Sequence, residues 1–137
     1  MTTQTSVVTG TDFITVATKD IDAAMDFYGN VLGLPLSKRW GEMPAAEFET
    51  GTLTIAVMQS DAFGIEFRTN NHPIALRVDD VEAARAELES RGVQFKSDII
   101  DSGVCHQTFF EDPDGNVLGL HHRYAPRDAR PRTASGE

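Results

Sequence analysis

The chain contains the same pattern twice, at a constant offset of 60 residues. Residues 14–28 (ITVATKDIDAAMDFY) align without a gap to residues 74–88 (IALRVDDVEAARAEL). Each copy reads as a strand, an acidic helix N-cap and an amphipathic helix, because apolar residues recur at helical spacing after an aspartate. At 137 residues the chain is long enough for one domain with a real core, so the repeat predicts two similar modules within it.

Short β-like runs follow each predicted helix. They cover residues 36–40, 45–48 and 53–58 in the first half and 95–99, 105–110 and 117–120 in the second. The order βαβββ therefore occurs twice, which predicts an α+β fold of two mixed sheets, and concave mixed sheets commonly enclose a ligand cavity.

The domain boundaries follow from this order and from composition. We predict a flexible N-terminus over residues 1–11 and a single domain over 12–122. Within the domain, module one spans 12–58, a turn-rich linker 59–71 and module two 72–122. Residues 123–137 lack apolar periodicity and are predicted to form a disordered tail.

Composition bounds the partners and the compartment. Residues 1–122 carry 8 basic and 19 acidic side chains, a balance that disfavours nucleic acid and anionic membranes and favours cationic ligands. No apolar run approaches a membrane span and no signal peptide is evident at the N-terminus, so we expect a cytoplasmic protein. The single cysteine, Cys105, excludes an internal disulfide and is expected to be a small buried side chain.

The segment "EDPDGNVLGL" (residues 111–120) combines a turn with a strand. Pro113 and Gly115 suit the turn, whereas Gly119 lies between two strand leucines, where a glycine weakens a strand. This segment and "DIDAAMDFYGNVLGLPL" (residues 20–36) resemble the two motifs of the vicinal oxygen chelate superfamily. That family includes glyoxalase I, extradiol dioxygenases and bleomycin-binding proteins. The resemblance covers residues 12–122 and implies two βαβββ modules forming a cup, usually in a homodimer.

In the metal-dependent members of that family, the first and last strands of each module supply His, Glu or Gln ligands. Transferred to this chain, the four ligand positions fall on Phe13, Ala56, Pro73 and Gly119, with Ile55 as an alternative to Ala56. None of these side chains binds a metal. The resemblance therefore implies that the usual metal site is absent and that no cofactor is required.

The histidines offer an alternative. A displaced metal site would use His72, His106 and His121, and metal-free acid–base catalysis would use His106 or His121 with Glu66 or Glu111. Either would make the protein a lyase, isomerase or thiol transferase. A third alternative is a sensor or partner domain in which the cup is vestigial.

The leading hypothesis is a small-molecule-binding protein of the resistance or sequestration kind, which takes up an apolar or cationic drug-like compound. Its cavity is predicted from strand alternation and from the cup geometry of the family. The predicted lining residues are Phe13, Trp40, Met43, Phe48, Ala56, Phe63, His106, Thr108, Phe110, Gly119 and His121.

Overall fold

The computed structural model describes residues 6–126. The chain divides into two compact units, Met1–Arg68 and Thr69–Glu137, and the division falls inside the predicted linker. The predicted tail lies mostly beyond the described residues, although the last strand continues to Arg123, one residue past the predicted end of the domain. None of the helices in residues 6–126 combines the length and apolar character that a membrane crossing requires.

The first unit consists of β1 (Phe13–Thr18), α1 (Ile21–Asp26), β2 (Leu36–Arg39), β3 (Ala45–Glu49) and β4 (Thr54–Gln59). The strand order in its sheet is β1-β4-β3-β2, with β1 and β4 parallel and the other pairs antiparallel. A π-helical segment, Phe27–Val31, continues α1, and a short 3-10 helix, Ser60–Phe63, follows β4 inside the predicted linker.

The second unit repeats this arrangement with β5 (Ile74–Arg77), α2 (Val81–Ser90), β6 (Ile100–Asp101), β7 (Cys105–Glu111) and β8 (Val117–Arg123). Its strand order is β5-β8-β7-β6, again with a parallel first pair. The prediction of two βαβββ modules is therefore confirmed. Closure of the two modules into a cup stays a prediction.

Both helices begin at an aspartate, as predicted. Asp20 accepts hydrogen bonds from the backbone N–H groups of Asp22 (3.0 Å) and Ala23 (3.2 Å), and Asp80 accepts one from Ala83 (3.0 Å). These bonds satisfy amide groups that a helix N-terminus leaves without a backbone partner.

One predicted strand is wrong. Residues 95–99 do not form a strand: Phe95 makes a single bridge to Phe110, and the edge strand is instead the two-residue β6. The ring of Phe95 packs against Phe110, with centroids 5.2 Å apart, and against the guanidinium of Arg85, at 4.9 Å. Packing of one aromatic side chain, which local propensity does not encode, determines the path of this segment.

Each sheet packs one face against its own helix. In the first unit Phe48, Ile55 and Val57 are buried on that face, and in the second Phe110, Leu118 and Leu120 are. We call the opposite side of each sheet its far face. Strand register assigns Phe13, Thr15, Glu47, Glu49, Thr54, Ala56 and Met58 to the far face of the first sheet, and Ala75, Arg77, Gln107, Phe109, Gly119, His121 and Arg123 to that of the second.

Candidate functional site

The predicted lining residues do not all lie on the same side of their sheets. Phe13 and Ala56 lie on the far face of the first sheet, and Gly119 and His121 on that of the second. Two of the predicted lining residues in each unit are therefore far-face residues.

Phe48, Thr108 and Phe110 are corrections to the predicted lining. All three are buried on the helix side: Phe48 packs on Tyr28 with ring centroids 6.0 Å apart, and Thr108 accepts a hydrogen bond from Arg85 of α2 at 3.0 Å. An error of one residue in strand register moves a side chain to the other face, and the sequence alone did not determine the register of β3 or β7.

Gly119 is covered by an aromatic ring. A Cβ atom built on Gly119 would lie 3.1 and 3.2 Å from Cδ1 and Cε1 of Phe109, its cross-strand neighbour, and 3.4 Å from the Thr108 carbonyl oxygen. The far face at Gly119 is therefore occupied by a phenyl ring. The glycine leaves room for Phe109 to lie across the strand, and Phe109 is a far-face residue that the sequence analysis missed.

The four positions at which the resemblance implies metal ligands are Phe13, Ala56, Pro73 and Gly119, and Pro73 has no donor atom in its side chain. A side chain at Gly119 would require the Phe109 ring to shift by a few tenths of an ångström, Ala56 is buried with only a methyl group, and Phe13 is an exposed phenyl ring. These residues do not fit a metal ion. In residues 6–126, no three His, Cys, Asp or Glu side chains are placed to hold one together.

The histidines of the displaced-site alternative are separated by the sheet. His106 pairs with His122 on the helix side, whereas His121 lies on the far face, and His72 is exposed in the segment before β5. His106 and His121 therefore point to opposite sides of the same sheet, which places the three histidines in no common site.

His106 instead belongs to a cluster with Asp101 and Tyr124. Its Nε2 lies 3.4 Å from Asp101 Oδ2, and the Tyr124 hydroxyl donates to Asp101 Oδ1 at 2.7 Å. The backbone N–H of Gly103, followed by the Tyr124 hydroxyl, lowers the pKa of Asp101, and the bond to Asp101 raises the pKa of Tyr124. The cluster borders a cavity of about 500 Å³ beside the N-terminus of α2.

Trp40 is hydrogen-bonded to Glu47, a far-face residue of the first sheet. Its Nε1 donates to Glu47 Oε2 at 3.1 Å, and Glu47 is the cross-strand neighbour of Ala56. The indole is 42% exposed and Phe13 is 53% exposed. Two exposed aromatic rings, a small alanine and a carboxylate thus belong to one surface.

A second carboxylate, Glu49, lies two residues along β3 on the same face. It accepts hydrogen bonds from the hydroxyls of Ser37 and Thr54, and these bonds, that of Ser37 first, lower its pKa. This carboxylate therefore stays ionised to lower pH than usual. The far face of the first sheet is acidic as well as aromatic.

The other predicted residues lie around this sheet. Met43 is exposed in the β2–β3 turn, where its N–H donates to the Trp40 carbonyl at 3.0 Å, and Phe63 is half-buried at the end of the 3-10 helix. Glu66 is exposed and pairs with Arg68 at 3.2 Å. Glu66 belongs to the first unit and the histidines to the second.

Comparison with known proteins places this geometry in a family. Residues 10–120 match the family described as Glyoxalase/Bleomycin resistance protein/Dioxygenase superfamily. A lactoylglutathione lyase of Schizosaccharomyces pombe is 31% identical over 135 residues. That alignment covers 77% of this chain but only 44% of the yeast protein, so the chain spans less than half of that relative's length.

Two solved structures show the same fold. A superfamily member from Sphaerobacter thermophilus superposes with a TM-score of 0.75 at 22% identity, covering 86% of this chain and 100% of that one. TnmS3, an antibiotic binding protein from Streptomyces sp. CB03234, superposes with a TM-score of 0.71 at 24% identity, covering 87% and 99%.

Proposed function

Because the chain belongs to the Glyoxalase/Bleomycin resistance protein/Dioxygenase superfamily, we propose that it is a small-molecule-binding protein that works without the metal ion used by other members. Its ligand is an apolar or cationic drug-like compound, which it binds or sequesters in the cytoplasm, as a homodimer. An antibiotic binding protein with this fold gives the proposal a structural precedent.

The observation that carries the proposal is the Trp40–Glu47 pair on the far face of the first sheet. An indole face attracts cations, and a carboxylate bonded to its edge adds a full negative charge beside it. Lys38 Nζ already lies 5.7 Å from the centroid of the Trp40 ring, so this surface accommodates a cation. Phe13 supplies an exposed apolar ring on the same face of the sheet.

Trp40 is the only tryptophan, so its fluorescence reports on this surface directly. The test titrates the protein with N-methylquinolinium and with quinoline, two flat rings of nearly equal size, at a pH where quinoline is neutral. We expect saturable quenching by the cation and weaker binding of the neutral ring. Glu47→Gln keeps an acceptor for the indole but removes the charge, and should weaken cation binding by about tenfold.

Glu82→Gln is the matched control, since it removes the same charge from an exposed position in the second unit and should leave the affinity unchanged. Equal affinity for both rings, or equal loss in both variants, would reject the role of Glu47. Absence of saturable quenching by these rings and by a wider set of drug-like compounds would reject the proposed function.

Metal independence is tested separately. Protein dialysed against Ni²⁺, Zn²⁺, Mn²⁺ or Fe²⁺ and then against buffer should retain far less than one ion per chain by mass spectrometry. Phe13, Ala56, Pro73 and Gly119 offer no side-chain donor at the family's ligand positions. Stoichiometric retention would contradict the proposal and would make the histidines the first residues to replace.

The Asp101–His106–Tyr124 cluster favours a second candidate, a metal-free acid–base enzyme of the lyase or isomerase kind. A histidine held by a carboxylate at the edge of a cavity can transfer protons near neutral pH. The name of the fission yeast relative makes formation of lactoylglutathione the first reaction to assay. Turnover that is lost in His106→Gln but kept in His72→Gln would favour this candidate, and absence of turnover in the unmodified protein would reject it for this reaction.

A further inference from the structure

The far face of the second sheet carries three basic side chains in a protein whose formal net charge is −9. Arg77 on β5 is the cross-strand neighbour of His121 on β8, and Arg123 lies two residues farther along β8. Residues two apart on a strand share a face, and neighbours in register have Cβ atoms only about 5 Å apart. The three side chains therefore form one group, which we call the basic group.

The three residues line a single cavity of about 440 Å³ at the C-terminal ends of β5 and β8. A volume of this size suits a small ligand. The wall also contains one carboxylate, that of Asp79, so the two arginines outweigh the acidic charge there. His122, also in the wall, directs its Nδ1 to the Val78 carbonyl at 3.1 Å, on the helix side of the sheet.

No side-chain hydrogen bond or ion pair joins the basic group to an acceptor within residues 6–126. Between residues 69 and 126 the other two arginines are both paired: Arg85 with Glu89 at 3.4 Å and Arg91 with Glu87 at 3.0 Å. In addition, Nε of Arg123 is buried and has no hydrogen-bond partner in the described part of the chain. Buried donors in folded proteins are nearly always satisfied, so an unsatisfied guanidinium nitrogen calls for an acceptor.

We propose that the basic group binds a small oxyanion, a carboxylate or a phosphate, through Arg77, His121 and Arg123. Guanidinium groups present planar pairs of donors that match both kinds of oxyanion, and a neighbouring imidazole supplies a further donor. Gln107, the neighbour of His121 on β7, extends the polar surface on the same face. This site goes beyond the proposed function, because it takes the opposite charge and lies in the other unit from Trp40 and Glu47.

The test uses the full-length protein and two probes, inorganic phosphate and benzoate, at constant ionic strength so that screening does not change. NMR follows the side-chain Nε–H signals of Arg77 and Arg123 and the ring signals of His121. We expect saturable shifts of these signals with at least one probe. The arm that saturates at lower concentration identifies the ligand as a phosphate or a carboxylate.

Substitutions distinguish specific binding at the basic group from non-specific electrostatic attraction of anions. Arg77→Gln, at an exposed position, should weaken binding by at least about tenfold. Asp79→Asn should strengthen it by severalfold, because the one opposing charge is removed. Arg91→Gln is the matched control, which makes the same change of net charge in the same unit and should leave the affinity unchanged.

Shifts that stay linear with both probes to the highest concentration would overturn the proposal, as would equal weakening in Arg77→Gln and Arg91→Gln. Neither outcome bears on the binding of aromatic cations, which is measured at Trp40. Failure of this proposal and failure of the proposed function are therefore distinguishable.

Discussion

The two units have the same topology but opposite chemistry on their far faces. The first sheet carries Glu47 and Glu49 beside exposed aromatic rings, whereas the second carries Arg77, His121 and Arg123. Their helix sides are alike: both pack apolar residues under a helix that begins at an aspartate. The helix sides of the two sheets are thus alike in their apolar packing, and the units differ in the charge of their far faces.

The two units also differ at two equivalent places: the turn before the last strand and one position of the helix. The turn before β4 is closed by the Thr50 hydroxyl, which donates to the Leu53 carbonyl, whereas the turn before β8 contains a buried network of Asp112 and Asn116. At the position 60 residues apart on the two helices, Met25 in α1 corresponds to Arg85 in α2. The second unit therefore depends more on specific polar contacts than the first does.

The largest expected effect is on the buried turn of the second unit. Asn116 accepts from the Asn70 N–H at 2.7 Å and donates to Asp112 Oδ2 at 2.8 Å. Asn116→Ala leaves a buried carboxylate and an amide without these partners and should lower the free energy of unfolding by about 2–4 kcal/mol. Urea denaturation measures it.

The counterpart in the first unit, Thr50→Ala, should cost about 1 kcal/mol or less, because its hydroxyl is only part-buried. Equal losses in the two variants would show that the two turns are energetically equivalent, against this comparison.

The next effect concerns Gly119 and Phe109. Gly119→Glu restores the carboxylate that the family carries there, but its Cβ would lie 3.1 Å from the Phe109 ring. Overpacking of this kind costs about 1–3 kcal/mol. In a protein that already carries Phe109→Ala, Gly119→Glu should lower the free energy of unfolding by at most half as much as it does in the unmodified protein. A double-mutant cycle measures this difference. If the two substitutions changed the free energy of unfolding additively, the Phe109 ring would not be the cause of the cost at residue 119.

A smaller effect is expected at Arg85, which donates to the Ser97 carbonyl at 2.6 Å and to the Thr108 hydroxyl at 3.0 Å. Arg85→Met places in α2 the residue that α1 has at the matching position. It should destabilise the protein by about 1–2 kcal/mol in thermal unfolding, because two part-buried acceptors lose a donor. A gain in stability would indicate that a methionine packs at this position of α2 as well as Met25 does in α1.

The smallest effect is electrostatic. Ser37→Ala removes the hydrogen bond that contributes most to the low pKa of Glu49, so that pKa should rise toward its ordinary value of 4.5 in an NMR titration of the carboxyl carbon. Because the folded-state pKa is lowered, the stabilisation is present above the unfolded value and is lost as pH falls through the folded one. Ser90→Ala, in α2, should leave the titration unchanged.

Much of the fold could be predicted from the sequence because local signals agree with tertiary packing. Asp20 and Asp80 cap helices, and two glycines with positive φ follow the helical segments: Gly33 (76°) after the π-helical segment and Gly92 (96°) after α2. The π-helical segment after α1 was not predictable. It brings Gly29 against Phe48, so that a Cβ there would lie 3.3 Å from the ring, and this contact between distant residues leaves no local signal.

The candidate site was less predictable than the fold. Alternation correctly placed His121 on the face of Gly119 but could not fix the register of β7, so His106, Thr108 and Phe110 were grouped with them. Phe109 was missed because its role depends on a glycine in the neighbouring strand. A search for aromatic residues opposite strand glycines, once β7 and β8 are paired, would have found it.

The position of the Phe109 ring over Gly119 also determines which variants of this chain are useful starting points for introducing a metal site. In a library of single substitutions, every variant with glutamate at residue 119 still carries Phe109. The Phe109 ring would then lie against the new side chain in each of them. The order of changes therefore matters, because a smaller residue at 109 removes this contact before residue 119 is enlarged. Directed evolution toward metal-dependent chemistry in this chain should begin at the residue that no ligand motif identifies.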